Sequence, residues 1–263
     1  MISNTNACTS CEQNNVDNIT EGITSMNVLA DMTECFNCGK EGNSDEMNTC
    51  NKCNMAKYCN VACKKKHRKK HKKACEKHVA ELHEEALFKD PFPLEECPIC
   101  MLTLPQKSNT VTFESCCGKR ICNGCIYAMK MSEGKNLCAF CRTRPPTSDQ
   151  EELKRLKNLM DKGNAQAFFT CGNHFYCGDI LGLPQDHQKA NDLWLKAGEL
   201  GCAAAYCNLG LSYDDGYGVE RNTKKAIHYW ELAAMGGDTT ARNNLGVEDH
   251  NAGNYQRSMR STL

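Results

Sequence analysis

Apolar residues recur with a helical period over only part of this chain. Residues 1–34 show little such periodicity and are rich in Asn, Thr, Ser and acidic side chains. Such a segment buries too little apolar surface to offset the entropy of ordering, so it reads as a disordered leader. Residues 76–96 read as a linker with a short helix, because Val79, Leu82, Ala86 and Leu87 share one helical stripe and Pro91 and Pro93 stop the pattern. A second stop, Pro145-Pro146, precedes Ser148-Asp149-Gln150-Glu151, which has the spacing of a capping box. The helix it opens, over residues 148–163, carries Leu153, Leu156, Leu159 and Met160 on its apolar face, and Gly163 is placed to end it.

From residue 164 to 263 the pattern repeats. Gly172, Gly210 and Gly246 fall 38 and 36 residues apart, and the same offsets superimpose Ala167, Ala205 and Ala241. Lys189-Ala190, Trp194 and Gly201 recur 36 residues later as Lys225-Ala226, Trp230 and Gly237. Each unit predicts a helix, a turn with glycine and a second helix, with small residues at the close approaches and a tryptophan between stacked units. Only ten residues follow Gly253, a segment short and polar enough that a frayed C-terminus is expected. Residues Leu209-Gly210, Tyr213, Gly216, Gly218-Val219, Lys225-Ala226, Trp230 and Ala233-Ala234 resemble a Sel-one-like repeat, a relative of tetratricopeptide units. That resemblance implies a concave all-α scaffold for a protein partner. Cys171, Cys177, Cys202 and Cys207 fall on predicted first helices and read as small core residues.

Composition changes this picture through cysteine. The chain has 21 of them in 263 residues, an odd number clustered as Cys-x-x-Cys pairs. No basic stretch with an apolar run and a small-residue cleavage site opens the chain, and no run of about 18 apolar residues occurs, so the expected location is intracellular, nucleus or cytoplasm, without a membrane span. In that setting such spacing predicts zinc rather than disulfides. The formal charge is zero, with 32 basic and 32 acidic side chains, and points to no partner by itself. Cys8-x-x-Cys11 supplies only half a tetrahedral site and reads as two surface thiols.

The first ligand set is Cys35-x-x-Cys38, Cys50-x-x-Cys53, Cys59-x-x-x-Cys63 and His71-x-x-x-Cys75, enough for two closed four-ligand sites. A three-residue gap places ligands one helical turn apart, so the last two pairs are expected on short helices. Spacing alone leaves interleaved and sequential pairing open; His67 is an alternative to His71, but the three-residue gap to Cys75 favours His71. With Tyr58 before Cys59, residues 35–75 resemble a MYND zinc finger. The resemblance implies that Cys35, Cys38, Cys59 and Cys63 hold one ion and Cys50, Cys53, His71 and Cys75 the other. The family usually has Trp three residues before the late histidine, where this chain has Arg68. Residues 64–73 hold eight Lys or Arg among ten positions, with no aromatic residue. A solvated basic face offsetting thiolate charge, nuclear targeting and nucleic-acid backbone contact are the readings open to it.

The second set is Cys97-x-x-Cys100, Cys116-Cys117, Cys122-x-x-Cys125 and Cys138-x-x-Cys141. No histidine lies between residues 97 and 141, so two sites there need all eight cysteines. Residues 97–142 resemble an all-cysteine RING finger, which groups Cys97, Cys100, Cys122 and Cys125 against Cys116, Cys117, Cys138 and Cys141. Lys119 stands where a common RING finger has histidine, and Ala139 where proline is usual. The resemblance implies recruitment of a ubiquitin-conjugating enzyme, with Ile99 as its apolar contact and Arg142 as the basic residue bonded to ubiquitin and enzyme. The expected fold class is thus small zinc-stabilised α+β fingers, MYND-like and RING-like, followed by an all-α helical-repeat solenoid. The expected function is a protein-interaction adaptor holding four zinc ions and acting as a RING-type ubiquitin ligase without catalytic side chains of its own. A non-enzymatic zinc-finger scaffold is the alternative, and nucleic-acid binding through residues 64–73 a lesser one. No GxSxG element, P-loop or dinucleotide fingerprint supports other chemistry.

Overall fold

The computed structural model describes residues 32–89, 95–104, 110–133 and 136–261. Cys8, Cys11, Pro91, Pro93 and the expected leader up to residue 31 lie outside the described residues. The chain divides into two units, Met1–Ala80 and Glu81–Leu263.

In the first unit the strands are too short to hold themselves. Strand β1 (Met32–Glu34), the end of the expected leader, pairs antiparallel with β2 (Glu41–Asn43), and β3 (Asn48–Thr49) with β4 (Lys57–Tyr58). Their core is Cys35, Met47, Ala56 and Tyr58, with Cys50, Cys59 and Cys63 packed against it. With so little apolar surface, cross-links between the loops must supply the cohesion that burial supplies elsewhere.

Helix α1 (Val61–Phe88) is a single element of 28 residues. It replaces the short ligand helices and the separate linker helix that the spacing predicts. No Gly or Pro interrupts Val61–Phe88, and Lys, Arg, Glu and Ala there are good helix formers. The expected apolar stripe does not form as a unit: Val79 and Leu82 are 38% and 43% exposed, whereas Leu87 is 1% exposed.

In the second unit, strands β5 (Val111–Glu114) and β6 (Lys119–Cys122) form an antiparallel hairpin, followed by helix α2 (Asn123–Glu133). Helix α3 (Asp149–Asp161) starts at Ser148, whose hydroxyl accepts from the Glu151 N–H. The Glu151 carboxylate accepts from the N–H and hydroxyl of Thr147, the residue before the cap, rather than from Ser148 as a capping box would have it. Those two donors and the Arg155 guanidinium hold its pKa at about 2. The hairpin turn is tied to this region, because Ser115 Oγ donates to Glu152 at 2.5 Å and Asn164 Nδ2 donates to the Gly118 carbonyl.

The repeats follow as antiparallel helix pairs: α4 (Ala165–Cys177) with α5 (His187–Glu199), α6 (Ala203–Asp215) with α7 (Thr223–Met235), and α8 (Thr239–Asn251) with α9 (Tyr255–Ser261). Asn164, Asp186, Asn222 and Asp238 each cap a helix by accepting the N–H three residues on. Gly172 and Gly210 are needed because Trp194 and Trp230 lie against them. A β-carbon there would sit 2.7 and 2.4 Å from the indole rings. Cys171 and Cys207 are buried as expected, but Cys177 is exposed at the end of α4, and Cys202 sits at the N-cap of α6 instead of inside a helix.

The expected frayed end is helical as far as Ser261. Arg257 anchors α9 through ion pairs to Glu84 at 3.0 Å, Glu231 at 3.2 Å and Asp249 at 3.5 Å. These partners are 173, 26 and 8 residues away in sequence, so no local pattern announces them.

Candidate metal centres

Four turns in the chain share one backbone design. In Cys35-x-x-Cys38, Cys50-x-x-Cys53, Cys97-x-x-Cys100 and Cys138-x-x-Cys141, the N–H of the residue after the second cysteine donates to the first cysteine's carbonyl, at 2.9 to 3.0 Å. The first cysteine's own N–H donates to the carbonyl of Lys40, Ala56, Leu102 or Thr143, closing the loop. That closure puts the residue after the second cysteine at positive φ: Gly39 at 71°, Asn54 at 52°, Met101 at 57° and Arg142 at 62°. Glycine and asparagine accept this region readily, whereas methionine and arginine are held there at a cost of about 1–2 kcal/mol each. Cysteine spacing does not point to Asn54 or Met101, although Gly39 and Asn54 following their cysteines carry the signal.

The remaining donors come from helices, one tight turn and two strand ends, Cys59 directly after β4 and Cys122 as the last residue of β6. Cys63, His71 and Cys75 sit on α1 at spacings of eight and four, which keeps them on one face, and Cys125 lies in the first turn of α2. Cys116 and Cys117 occupy the β5–β6 turn, where Gly118 takes φ 70° and its N–H donates to the Glu114 carbonyl. Adjacent side chains diverge in an extended strand, but in this turn both sulfurs face the same cluster.

The structure brings the sixteen candidate ligands together as four groups, each with its ligand atoms within 4.8 Å of one another. They are Cys35, Cys38, Cys59 and Cys63; Cys50, Cys53, His71 and Cys75; Cys97, Cys100, Cys122 and Cys125; and Cys116, Cys117, Cys138 and Cys141. The pairing is therefore interleaved in both segments. His71 Nε2 lies 3.3 Å from Cys53 Sγ, while His67 turns aside to Tyr58, its Nδ1 3.1 Å from the hydroxyl.

The spacing within the groups fits zinc. Zinc–sulfur bonds of about 2.3 Å make a tetrahedron with edges of about 3.8 Å. The sulfurs of Cys38, Cys59 and Cys63 are 3.6, 3.7 and 3.8 Å apart. Cys50 and Cys75 are 3.7 Å apart, Cys100 and Cys122 3.8 Å, Cys97 and Cys125 3.9 Å, and Cys117 and Cys138 3.9 Å. The Cys116–Cys141 edge is shorter, at 3.3 Å. No disulfide joins any of the described cysteines.

The thiols also divide electrostatically. Burial pushes Cys35 and Cys97 up, but backbone N–H donors outweigh it and leave both at about 6. A hydrogen bond with Cys63, followed by burial, lifts Cys59 to about 12, and burial followed by its sulfur neighbours lifts Cys125 to about 12. Without a cation the groups cannot hold the three or four negative charges of their thiolates. A closed site with a dication removes that repulsion, and its chemistry is to cross-link loops rather than to activate water.

Of the two partner-contact candidates, Ile99 is 37% exposed within the first turn of its segment, and Arg142 is exposed after the last. Met101, Leu102 and Phe140, at 67%, 69% and 45% exposure, extend the apolar surface of these turns. Lys119 donates its backbone N–H to the Cys117 sulfur and places its ammonium 6.0 Å from the Phe140 ring centroid.

Comparison with known proteins accords with this geometry. The family description MYND finger matches residues 35–75, and Sel1 repeat matches residues 170–202 and 203–238. The chain thus contains a MYND finger, which binds zinc, and two Sel1 repeats, and its further cysteine clusters are consistent with an additional RING-like finger. A curated relative is the ERAD-associated E3 ubiquitin-protein ligase component HRD3B of Arabidopsis thaliana, 37% identical over 100 residues. That match covers 38% of this chain and 15% of the relative, so the chain spans only a small part of that protein. Among solved structures, a Sel1 repeat protein from Oxalobacter formigenes is 26% identical, with TM-score 0.39 over 42% of this chain and 46% of that one. A protective antigen of uropathogenic Escherichia coli strains displaying an SLR fold is 19% identical, with TM-score 0.41 over 57% of this chain and 29% of that one. No helix among the described residues is long and apolar enough to cross a membrane.

Proposed function

We propose that this protein is a zinc-dependent interaction adaptor in which residues 97–142 act as a RING-type ubiquitin ligase module, while the MYND finger and the repeats engage protein partners. The sixteen cysteine and histidine residues of the four groups are its metal ligands, with four zinc ions. The observation that carries the reading is the pair of interleaved all-cysteine tetrads over residues 97–141, which presents Ile99 and Arg142 on its first and last turns. Support also comes from the relative whose name places it in a ubiquitin ligase. Such a module needs no acid, base or nucleophile, because aligning a conjugating enzyme's thioester with an acceptor amine is a positioning effect.

Reconstituted ubiquitination with a panel of conjugating enzymes tests this. Ile99→Ala and Arg142→Ala are each expected to reduce chain formation at least about tenfold, the equivalent of about 1.4 kcal/mol in partner binding, with bound zinc unchanged. Arg142→Gly separates side chain from backbone. It accepts φ 62° without strain, so chain formation should fall as in Arg142→Ala. Activity retained in all three variants, or no chains with any conjugating enzyme, would reject the ligase reading in favour of a scaffold.

A further inference from the structure

We infer that the outer face of helix α1, residues 65–73, is a docking surface for duplex DNA, entered through the major groove and without sequence preference. Seven cations, Lys65, Lys66, Arg68, Lys69, Lys70, Lys72 and Lys73, are all exposed on this helix. At 3.6 residues per turn they cover an arc of roughly 200°, and the face bearing Cys63, His67, His71 and Cys75 fills the remainder. Lys64 falls on the finger side, where its ammonium donates to the Thr49 carbonyl and to Asn51.

Neutralising the zinc sites does not account for these cations. The seven thiolates of the first two groups, with two dications, leave three negative charges. Residues 32–80 carry twelve Lys or Arg against five Asp or Glu. The balance is still about four positive after the metal sites are counted, and the seven exposed cations face away from the sulfurs.

The breadth of the arc selects the partner. An α-helix of about 10–12 Å diameter fits the B-form major groove, about 12 Å wide, and cations on both flanks can then reach both phosphate walls. A single acidic peptide would meet only one side of such an arc. The groove of A-form RNA is too narrow for a helix. No aromatic residue lies on the arc to stack unpaired bases, and no large apolar one to enter a bilayer. Arg68 is the only side chain among the seven with a fork for guanine, and the other six are lysines, so contact is to phosphates. Glu76, Glu81, Glu84 and Glu85 follow along α1 and confine the footprint to its first turns.

The test uses the zinc-loaded full chain and a labelled 20-base-pair duplex of mixed sequence, followed by fluorescence anisotropy. With about five phosphate contacts, affinity should fall by roughly 500-fold between 50 and 200 mM salt. Lys65→Glu, Lys69→Glu and Lys73→Glu combined should abolish binding while bound zinc, read by native mass spectrometry, stays at the wild-type level. Duplex binding unchanged by the triple variant would overturn the inference. So would equal or tighter binding, at matched salt, of duplex RNA, the single strand, polyglutamate or anionic phosphatidylserine vesicles. The result is independent of the ubiquitination assay, which reads residues 97–142.

Discussion

Stripping zinc with a chelator at neutral pH is expected to unfold residues 35–75 and 97–141 while the helices from Asp149 onward keep their structure. The described strands of the first unit are two or three residues long, and the buried core there is Cys35, Met47, Ala56 and Tyr58, so little holds the loops once the ions leave. Structural zinc in small fingers contributes about 10–16 kcal/mol per ion, far more than such a core supplies. The repeats rest instead on Trp194 and Trp230, 2% and 3% exposed, packed among buried alanines. Hydrogen exchange by mass spectrometry would show protection lost in the two cysteine-rich segments and kept in α4 to α7. Loss of protection in all segments together would contradict the separation.

Acid should remove the ions. Zinc binds thiolates, so a thiol still protonated at neutral pH must release its proton on binding, and affinity falls about tenfold per pH unit for each such thiol. Cys59, Cys75 and Cys125, at about 12, 11 and 12, put at least one such proton in each of their groups, and in the fourth group burial and neighbouring sulfurs lift Cys117 to about 12 and raise Cys116 as well. Every ion is therefore expected to leave as pH falls. Glu151 responds to acid as well: its stabilisation of α3 is fully present above the ordinary value of 4.5 and is lost progressively as pH falls from there through about 2.

Leu87→Ala is expected to destabilise the second unit by about 2–5 kcal/mol, whereas Leu82→Ala should stay within about 0.5 kcal/mol. The two leucines are five residues apart on one helix, and the sequence pattern alone assigns them the same role. Leu87 is 1% exposed within the core cluster that also holds Cys207, Ala226, Trp230, Ala233 and Leu245, so truncation leaves a cavity in that core. Leu82, 43% exposed, leaves none. Denaturant unfolding of both variants checks this, and equal effects would show that α1 does not pack on the repeats through Leu87.

These cases show where sequence reasoning reaches and where it stops. Cysteine spacing counts the donors and locates the turns, because the chemistry of a tetrahedral site is written into local distances. Pairing is not local: Cys38 meets Cys59 across 21 residues, and only the resemblance to known fingers suggests it in advance. The spacing divides helix α1 because cations fill the positions that normally carry the apolar signal, although the run without Gly or Pro is uninterrupted. The repeats are legible because small residues and tryptophans recur at fixed offsets. The terminal helix α9 is not, since it depends on Arg257 reaching back to Glu84 and Glu231.

Native mass spectrometry of the intact chain, wild type and Cys116→Ser, tests the four-site account most directly. Four zinc ions in the wild type, falling towards three in the variant, are the expected result, because Cys116 Sγ stands 3.3 Å from Cys141 Sγ in the fourth group. Two ions in the wild type, or four in both proteins, would contradict it.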